Sequence, residues 1–156
     1  MNKILISSCL VGINCRYDSK PNTSDKLLDL VKDGKAIFMC PEQTGGLSTP
    51  REPAEIELGK NARDVLEGNG KVITKSGKNV TKEYIEGAQA TLNLCKNLNV
   101  TVAILKARSP ACSSSSVYDG TFSGSKISGN GITAELLKQK GIEVYDEENF
   151  PLDLFS

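Results

Sequence analysis

Three short apolar runs in this chain each lead into a cysteine, and this pattern limits the folds that the sequence can adopt. The cysteines are Cys9, Cys40 and Cys112, and the runs before them span residues 4–8, 36–39 and 101–105. Runs of this length that are rich in β-branched and apolar residues predict buried strands. In an open parallel α/β sheet, the loops at the carboxyl ends of the strands share one edge and form the ligand crevice. We therefore expect the three cysteines to stand in exposed polar loops and to converge on a shared thiolate site.

Helical patterns alternate with these strands. The predicted helices cover residues 25–33, 81–98 and 133–140, and a fourth strand covers residues 142–145. Thr81 is expected to cap the second helix, and Cys95 falls on the apolar face of that helix, which predicts a buried packing residue. The alternation predicts an α/β fold: a single three-layer domain over residues 1–156, with a mainly parallel, Rossmann-like sheet covered by helices on both faces.

Two stretches carry weaker signals. Within residues 54–74, the sequence favours only a short helix at 62–66 and an edge strand at 71–74. Residues 123–131 are rich in glycine and serine, which predicts a flexible loop.

The composition excludes several kinds of chemistry. The 156 residues include no histidine, which removes Ser-His-Asp triads, Cys-His pairs and zinc sites with imidazole ligands. Acidic and basic residues number 19 each, so no net positive field points to nucleic acid or to an anionic membrane surface. We expect the partner to be a small molecule, and nothing in the sequence indicates an oligomeric state.

The five cysteines are expected to be reduced. Their odd number and the strand–helix pattern do not resemble a small secreted fold stapled by disulfides. The apolar segment before Cys9 is shorter than the roughly 7 to 15 residues of a signal peptide core, and no run approaches the roughly 20 residues of a membrane span. These features predict a soluble, cytoplasmic protein.

The residues alone leave the use of the thiols open. Four loop cysteines, with Cys15 included, would form a closed zinc site, whereas three with an open position would be a site for chemistry. The simplest alternative is that these cysteines are unrelated to one another and serve only as packing residues. A thiol enzyme with Cys112 as its nucleophile would need activation by Lys106, Arg108 or a helix terminus.

Several linked motifs resemble a bacterial family whose best understood members are the thiouracil desulfidases. The motifs are Cys9-Leu10-Val11-Gly12, Cys15-Arg16-Tyr17-Asp18, Cys40-Pro41-Glu42, Gly45-Gly46-Leu47, Thr49-Pro50-Arg51, Ser109-Pro110-Ala111-Cys112 and Tyr118-Asp119-Gly120-Thr121-Phe122. They follow the order of the family over nearly the whole chain, which makes the resemblance specific at family level. Ser19 and Ser113 depart from it, since the family usually has glycine at both places, and these departures leave the identity of the substrate open.

The resemblance implies a [4Fe-4S] cluster that is held by only three cysteines. The implied ligands are Cys9, Cys40 and Cys112, and Cys15 is a further candidate. The fourth iron would have no protein ligand and would bind the sulfur of a thiouracil-like substrate as a Lewis acid, without net electron transfer. Such a cluster is sensitive to oxygen and can be lost from protein prepared in air.

The resemblance also implies roles for side chains around the cluster. Glu42 is the implied carboxylate that moves protons for the attacking water, and Ser109 is the implied hydroxyl that helps to position this water. The implied substrate-binding residues are Arg16, Tyr17, Asp18, Arg51 and Ser113. The alternative from another functional class is a non-catalytic iron–sulfur or metal-binding module, such as a sensor or a sulfur-binding protein.

Overall fold

A computed structural model describes residues 3–13 and 24–151 of the chain. The strands are β1 (Ile4–Ser7), β2 (Ala36–Met39), β3 (Ala54–Ile56), β4 (Val72–Thr74), β5 (Val102–Leu105), β6 (Ser116–Tyr118), β7 (Lys126–Ser128) and β8 (Glu143–Asp146). Four of them form a central parallel sheet in the order β2-β1-β5-β8, in which Ile4 pairs with both Ala36 and Val102. The other four form two antiparallel hairpins, β3–β4 and β6–β7.

Helices cover both faces of the central sheet. They are α1 (Asp25–Lys32), α2 (Pro41–Thr44), α3 (Ala62–Leu66), α4 (Thr81–Asn97) and α5 (Ile132–Gln139), with a 3₁₀ helix at Ser8–Val11. Successive side chains of β1 point to opposite faces. Leu5 packs into a core with α3, α4 and α5, whereas Ile6 packs with α1 and the 3₁₀ helix. The predicted α/β fold with a parallel sheet and helices on both faces is therefore confirmed.

The long helix α4 matches its prediction except at its first residue. Val80 takes the N-cap position, so Thr81 is the first helical residue and the expected cap at Thr81 is wrong. The hydroxyl of Thr81 instead accepts the Val72 backbone N–H at 2.9 Å, which ties the start of α4 to β4. Cys95 is fully buried in the core, as the apolar helix face predicted.

The two hairpins were the least predictable part of the fold. The helix at residues 62–66 is confirmed, and the edge strand expected at 71–74 is present as β4, which pairs with β3 in a separate two-stranded sheet. The segment expected to be a flexible loop contains β7, which pairs with β6 from Ser116 to Tyr118. Hairpin β6–β7 rests on β3, because its Gly120 lies so close to the backbone of Ile56 and Leu58 that a side chain would not fit there.

No helix in the described part of the chain is both long and apolar enough to cross a lipid bilayer.

Candidate active site

A cavity of about 430 Å³ lies at the carboxyl ends of β1, β2 and β5. Cys9, Cys40 and Cys112 all line it, together with Glu42 and Ser109. Its volume is within the range of about 300 to 1,000 Å³ that small-molecule sites usually have. The parallel sheet therefore brings together the cysteines that are distant in sequence.

The thiols are more enclosed than the sequence suggested. Cys9 lies in the 3₁₀ helix directly after β1 and Cys112 in the segment after β5, and each has a relative exposure of 4%. Cys40 is half-buried at the N-cap position of α2. The expectation that these cysteines stand in exposed loops is therefore wrong for Cys9 and Cys112, which are buried and line the cavity.

The segment that carries Cys112 is held by the Ser109 hydroxyl and by the start of α5. The Ser109 hydroxyl oxygen accepts the backbone N–H groups of Ala111 and Cys112, each at 3.1 Å. The start of α5 then donates to this segment, with Ile132 N–H bound to the Pro110 carbonyl at 2.8 Å. The sequence predicted an exposed polar loop here, but these hydrogen bonds hold the segment against the start of α5.

Gly131 allows this close contact. A side chain at this position would collide with the Ala111 carbonyl and the Cys112 nitrogen. The Gly131 N–H donates to the Ser113 carbonyl at 2.8 Å, and the Thr133 N–H donates to the Ala111 carbonyl at 2.8 Å. Backbone hydrogen bonds therefore hold residues 110–113 firmly against the N-terminal end of α5.

The surroundings of Cys112 keep its thiol protonated when no cation is near. Burial raises the pKa of Cys112 strongly, and the charges of Glu42 and Cys40 raise it further. Hydrogen bonds with the hydroxyl groups of Ser7 and Ser109 partly oppose this shift. Because a thiolate is the form that binds metals and attacks as a nucleophile, Cys112 requires a positively charged partner before it can act.

The two basic residues that could activate Cys112 as a nucleophile are each paired with a carboxylate. The Lys106 ammonium pairs with Glu147 at 2.9 Å, and both side chains are largely buried. The Arg108 guanidinium pairs with Glu148 at 2.7 Å. These partners favour a role for Cys112 as a ligand over the alternative of a thiol enzyme.

Two donors hold one oxygen of the Glu42 carboxylate. The Tyr84 hydroxyl donates to Glu42 Oε2 at 2.7 Å, and Arg51 Nη2 lies 3.1 Å from the same atom. Burial, followed by the negative charge of Glu42, raises the pKa of Tyr84, so its hydroxyl remains a donor at neutral pH. Burial lowers the pKa of Arg51, but Glu42 and Tyr84 outweigh this effect and the net pKa is raised. Among the described residues, no side chain or backbone group donates to Oε1 of Glu42.

Helix α2 sits directly against α4, which fixes Glu42 relative to Tyr84. Pro41 begins α2, and its carbonyl lies where a side chain on Gly87 of α4 would have to go. A side chain on Gly45 would likewise collide with the Glu83 carbonyl. Only glycine at both positions allows α2 and α4 to lie this close together. The contact with α4 therefore holds α2 in place, and with it Cys40 and Glu42.

The structure does not place every predicted site residue in the cavity. Arg51 lines it, but its guanidinium is occupied by Glu42 and by the Ser48 carbonyl at 3.1 Å. Ser113 is fully buried outside the cavity wall, where its hydroxyl donates to the Ser116 carbonyl. Four predicted residues lie outside the described part of the chain, namely Cys15, Arg16, Tyr17 and Asp18.

Three residues were missed from the sequence: two that line the cavity, and one that holds Glu42 from outside its wall. Ser7, Glu55 and Tyr84 lie within a strand end, a hairpin and a long helix, and no motif that we recognised includes them. Tyr84 could have been suspected only as a polar hydroxyl on a buried helix face. The proximity of Glu42 and Tyr84, 42 residues apart, exists only in the folded chain.

The described residues contain no group of three or more Cys, Asp or Glu side chains arranged around a single metal ion. A polynuclear cluster places different demands on its protein, because each thiolate binds a different iron and the ligands surround a volume rather than a point. Three cysteines around a cavity of about 430 Å³, with hydroxyl groups near one sulfur, fit this second arrangement.

The fold and the cavity define an α/β protein with a small-molecule site whose wall combines cysteines and a clamped carboxylate. Residues 4–149 match the model of the 2-thiouracil desulfurase family, and the chain belongs to this family. The uncharacterised protein YbbK of Bacillus subtilis (strain 168) is 53% identical over 144 residues, which cover 92% of this chain and 95% of YbbK.

A solved structure has the same fold. It is described as the [4Fe-4S]-dependent thiouracil desulfidase TudS and superposes with a TM-score of 0.85 at 39% sequence identity. The match covers 97% of this chain and 94% of the TudS chain.

Proposed function

We propose that this protein removes sulfur from a small thiolated compound of the thiouracil type by hydrolysis. Water replaces the sulfur at the ring carbon, so a thiocarbonyl compound and water give the carbonyl compound and hydrogen sulfide, with no electrons gained or lost. The observation that carries the proposal is the convergence of three cysteines and a clamped carboxylate on one cavity of suitable size. Membership of the 2-thiouracil desulfurase family and the likeness to TudS support it.

In this proposal, Cys9, Cys40 and Cys112 hold a [4Fe-4S] cluster in the cavity. When bound, the cluster supplies a Lewis-acidic iron that has no protein ligand and that polarises the carbon–sulfur bond of the substrate. The protein contributes the three thiolates and the hydroxyl groups of Ser7 and Ser109, which hydrogen-bond to the Cys112 sulfur. Hydrogen bonds to ligating sulfurs tune such clusters.

Glu42 is the proposed proton carrier. Arg51 and Tyr84 hold its Oε2, so Oε1 is the oxygen left to take a proton from the attacking water and return it to the departing sulfur. The hydroxyl of Ser109 lies in the same wall and, in this proposal, turns its single O–H from the Cys112 sulfur to the attacking water, while its oxygen still accepts the backbone N–H groups of the Cys112 segment.

The iron content of the protein tests the cofactor. Protein prepared and reconstituted without oxygen is expected to contain about four irons and four sulfides per chain and to show broad charge-transfer absorption. The measurement is elemental analysis together with the visible spectrum. Zinc bound as the only metal, with no such absorption after reconstitution with iron and sulfide, would show that the cysteines serve a different site.

A further inference from the structure

A second carboxylate lines the same cavity. It lies on the side formed by hairpins β3–β4 and β6–β7, which we call the roof of the cavity. Glu55, in the middle of β3, has a relative exposure of 8% and lines the cavity. Its Oε1 accepts the backbone N–H of Gly120 at 2.9 Å and that of Phe122 at 3.2 Å, both at the tip of hairpin β6–β7. Glu55 therefore joins the two hairpins that cover the cavity.

The other oxygen of Glu55 has no such partner. Within residues 3–13 and 24–151, no group donates a hydrogen bond to Oε2, and no cation forms an ion pair with this carboxylate. Four basic residues line the cavity: Arg51, Lys106 and Arg108 are paired with other carboxylates, and Lys75 forms no ion pair within the described residues. Oε2 is not fully buried and belongs to a residue that lines the cavity, so it is an accessible acceptor that can bind a donor from the ligand.

The roof also provides aromatic surface beside this carboxylate. Tyr118 and Phe122 belong to hairpin β6–β7 and line the cavity, and both are half-buried. A flat heterocycle can lie against aromatic side chains while a group at its edge hydrogen-bonds to a neighbouring acceptor. A buried carboxylate is a strong acceptor for a neutral N–H group because the hydrogen bond is charge-assisted.

We propose that Glu55 is a specificity-determining residue whose Oε2 accepts a hydrogen bond from a ring N–H of the substrate. The substrate is then a planar heterocycle in which an N–H group lies next to the thiocarbonyl carbon, that is, a cyclic thioamide or thiourea. This inference rests on the proposed desulfuration and adds a requirement to it. Thiolated rings whose nitrogens are alkylated are rejected at this position.

The test compares two substrates in two variants, all loaded with cluster and all assayed for hydrosulfide. The substrates are 2-thiouracil and 1,3-dimethyl-2-thiouracil, which has no ring N–H. Glu55→Gln keeps the shape of the side chain but removes the charge, and Glu57→Gln alters a carboxylate beyond the same strand as a control. We expect Glu55→Gln to lower kcat/KM for 2-thiouracil about 10- to 100-fold and to leave the dimethyl compound unchanged, whereas Glu57→Gln changes neither.

The two substrates separate recognition from support of the hairpin. If Glu55 only anchors the tip of β6–β7, Glu55→Gln lowers kcat/KM for both substrates by the same factor, and the inference is wrong. If turnover of the dimethyl compound is below detection, the KM of Glu55→Gln for 2-thiouracil decides between the two roles. A rise in KM of at least about tenfold, with kcat nearly unchanged, supports recognition of the substrate by Glu55. An unchanged KM overturns the inference.

The same assay distinguishes this inference from the proposed function. Turnover of 2-thiouracil by the wild-type protein, with equal substrate selectivity in Glu55→Gln, would reject the role of Glu55 and leave the desulfuration intact. A wild-type protein that carries its cluster but releases no hydrosulfide would reject the desulfuration and the inference with it.

Discussion

Replacement of Cys9, Cys40 or Cys112 by serine is expected to remove most of the cluster from the protein. Each substitution deletes one of the three proposed thiolate ligands, and a serine hydroxyl is a poor ligand for iron in such clusters. The measurement is iron and sulfide per chain after the same anaerobic reconstitution of each variant. Loss of the cluster should abolish hydrosulfide release in all three variants.

Cys95→Ser is the matched control, because this cysteine is fully buried in the core away from the cavity. Burial raises the pKa of Cys95 to about 11, so its thiol stays protonated at neutral pH. The variant should keep its iron and lose only about 1 to 3 kcal/mol of stability, since a hydroxyl replaces a thiol in an apolar site. Retained iron in Cys40→Ser together with lost iron in Cys15→Ser would show that the three ligands are chosen wrongly.

Glu42→Gln is expected to keep the cluster and to lose nearly all activity. The amide preserves the shape of the side chain but cannot accept the proton of the attacking water. General acid–base groups typically contribute about 10²- to 10⁴-fold to a rate, so a loss of this size in kcat is expected. The assay is release of hydrosulfide from 2-thiouracil or 4-thiouracil at matched iron content.

The control for Glu42→Gln is Glu86→Gln on the outer face of α4. Glu86 forms a solvent-exposed pair with Lys82, so removal of its charge should leave both iron content and turnover unchanged. Near-normal turnover in Glu42→Gln would mean that the carboxylate serves only to pair with Arg51 and Tyr84.

The parallel sheet and the meeting of its cysteines could be predicted because both depend on local patterns. Apolar runs of four or five residues define the strands, and parallel strands must place their carboxyl ends at one edge. Each cysteine directly follows such a run or lies a few residues beyond it, so its approximate position follows from the fold. The pattern could not predict that Cys112 is buried, because this depends on the contact between residues 110–113 and the start of α5.

The clamp on Glu42 and the roof of the cavity could not be predicted, because they depend on contacts between distant segments. Tyr84 reaches Glu42 only because Gly45 and Gly87 let α2 lie against α4. Glu55 lies in a strand of three residues, too short for a clear alternation of apolar and polar side chains. Local sequence also misplaced the cap of α4, since the Thr81 hydroxyl is engaged by the neighbouring hairpin.

Turnover by the wild-type protein is the most direct test of the proposed desulfuration. Protein loaded with its cluster in the absence of oxygen should convert 2-thiouracil to uracil and release hydrosulfide in equal amount, with no added reductant or oxidant, because water is the only other reactant. Both products are measured in the same reaction, by chromatography and by a colorimetric sulfide assay. Fully loaded protein that releases neither uracil nor hydrosulfide from 2-thiouracil or 4-thiouracil would contradict the proposal and favour a non-catalytic iron–sulfur module.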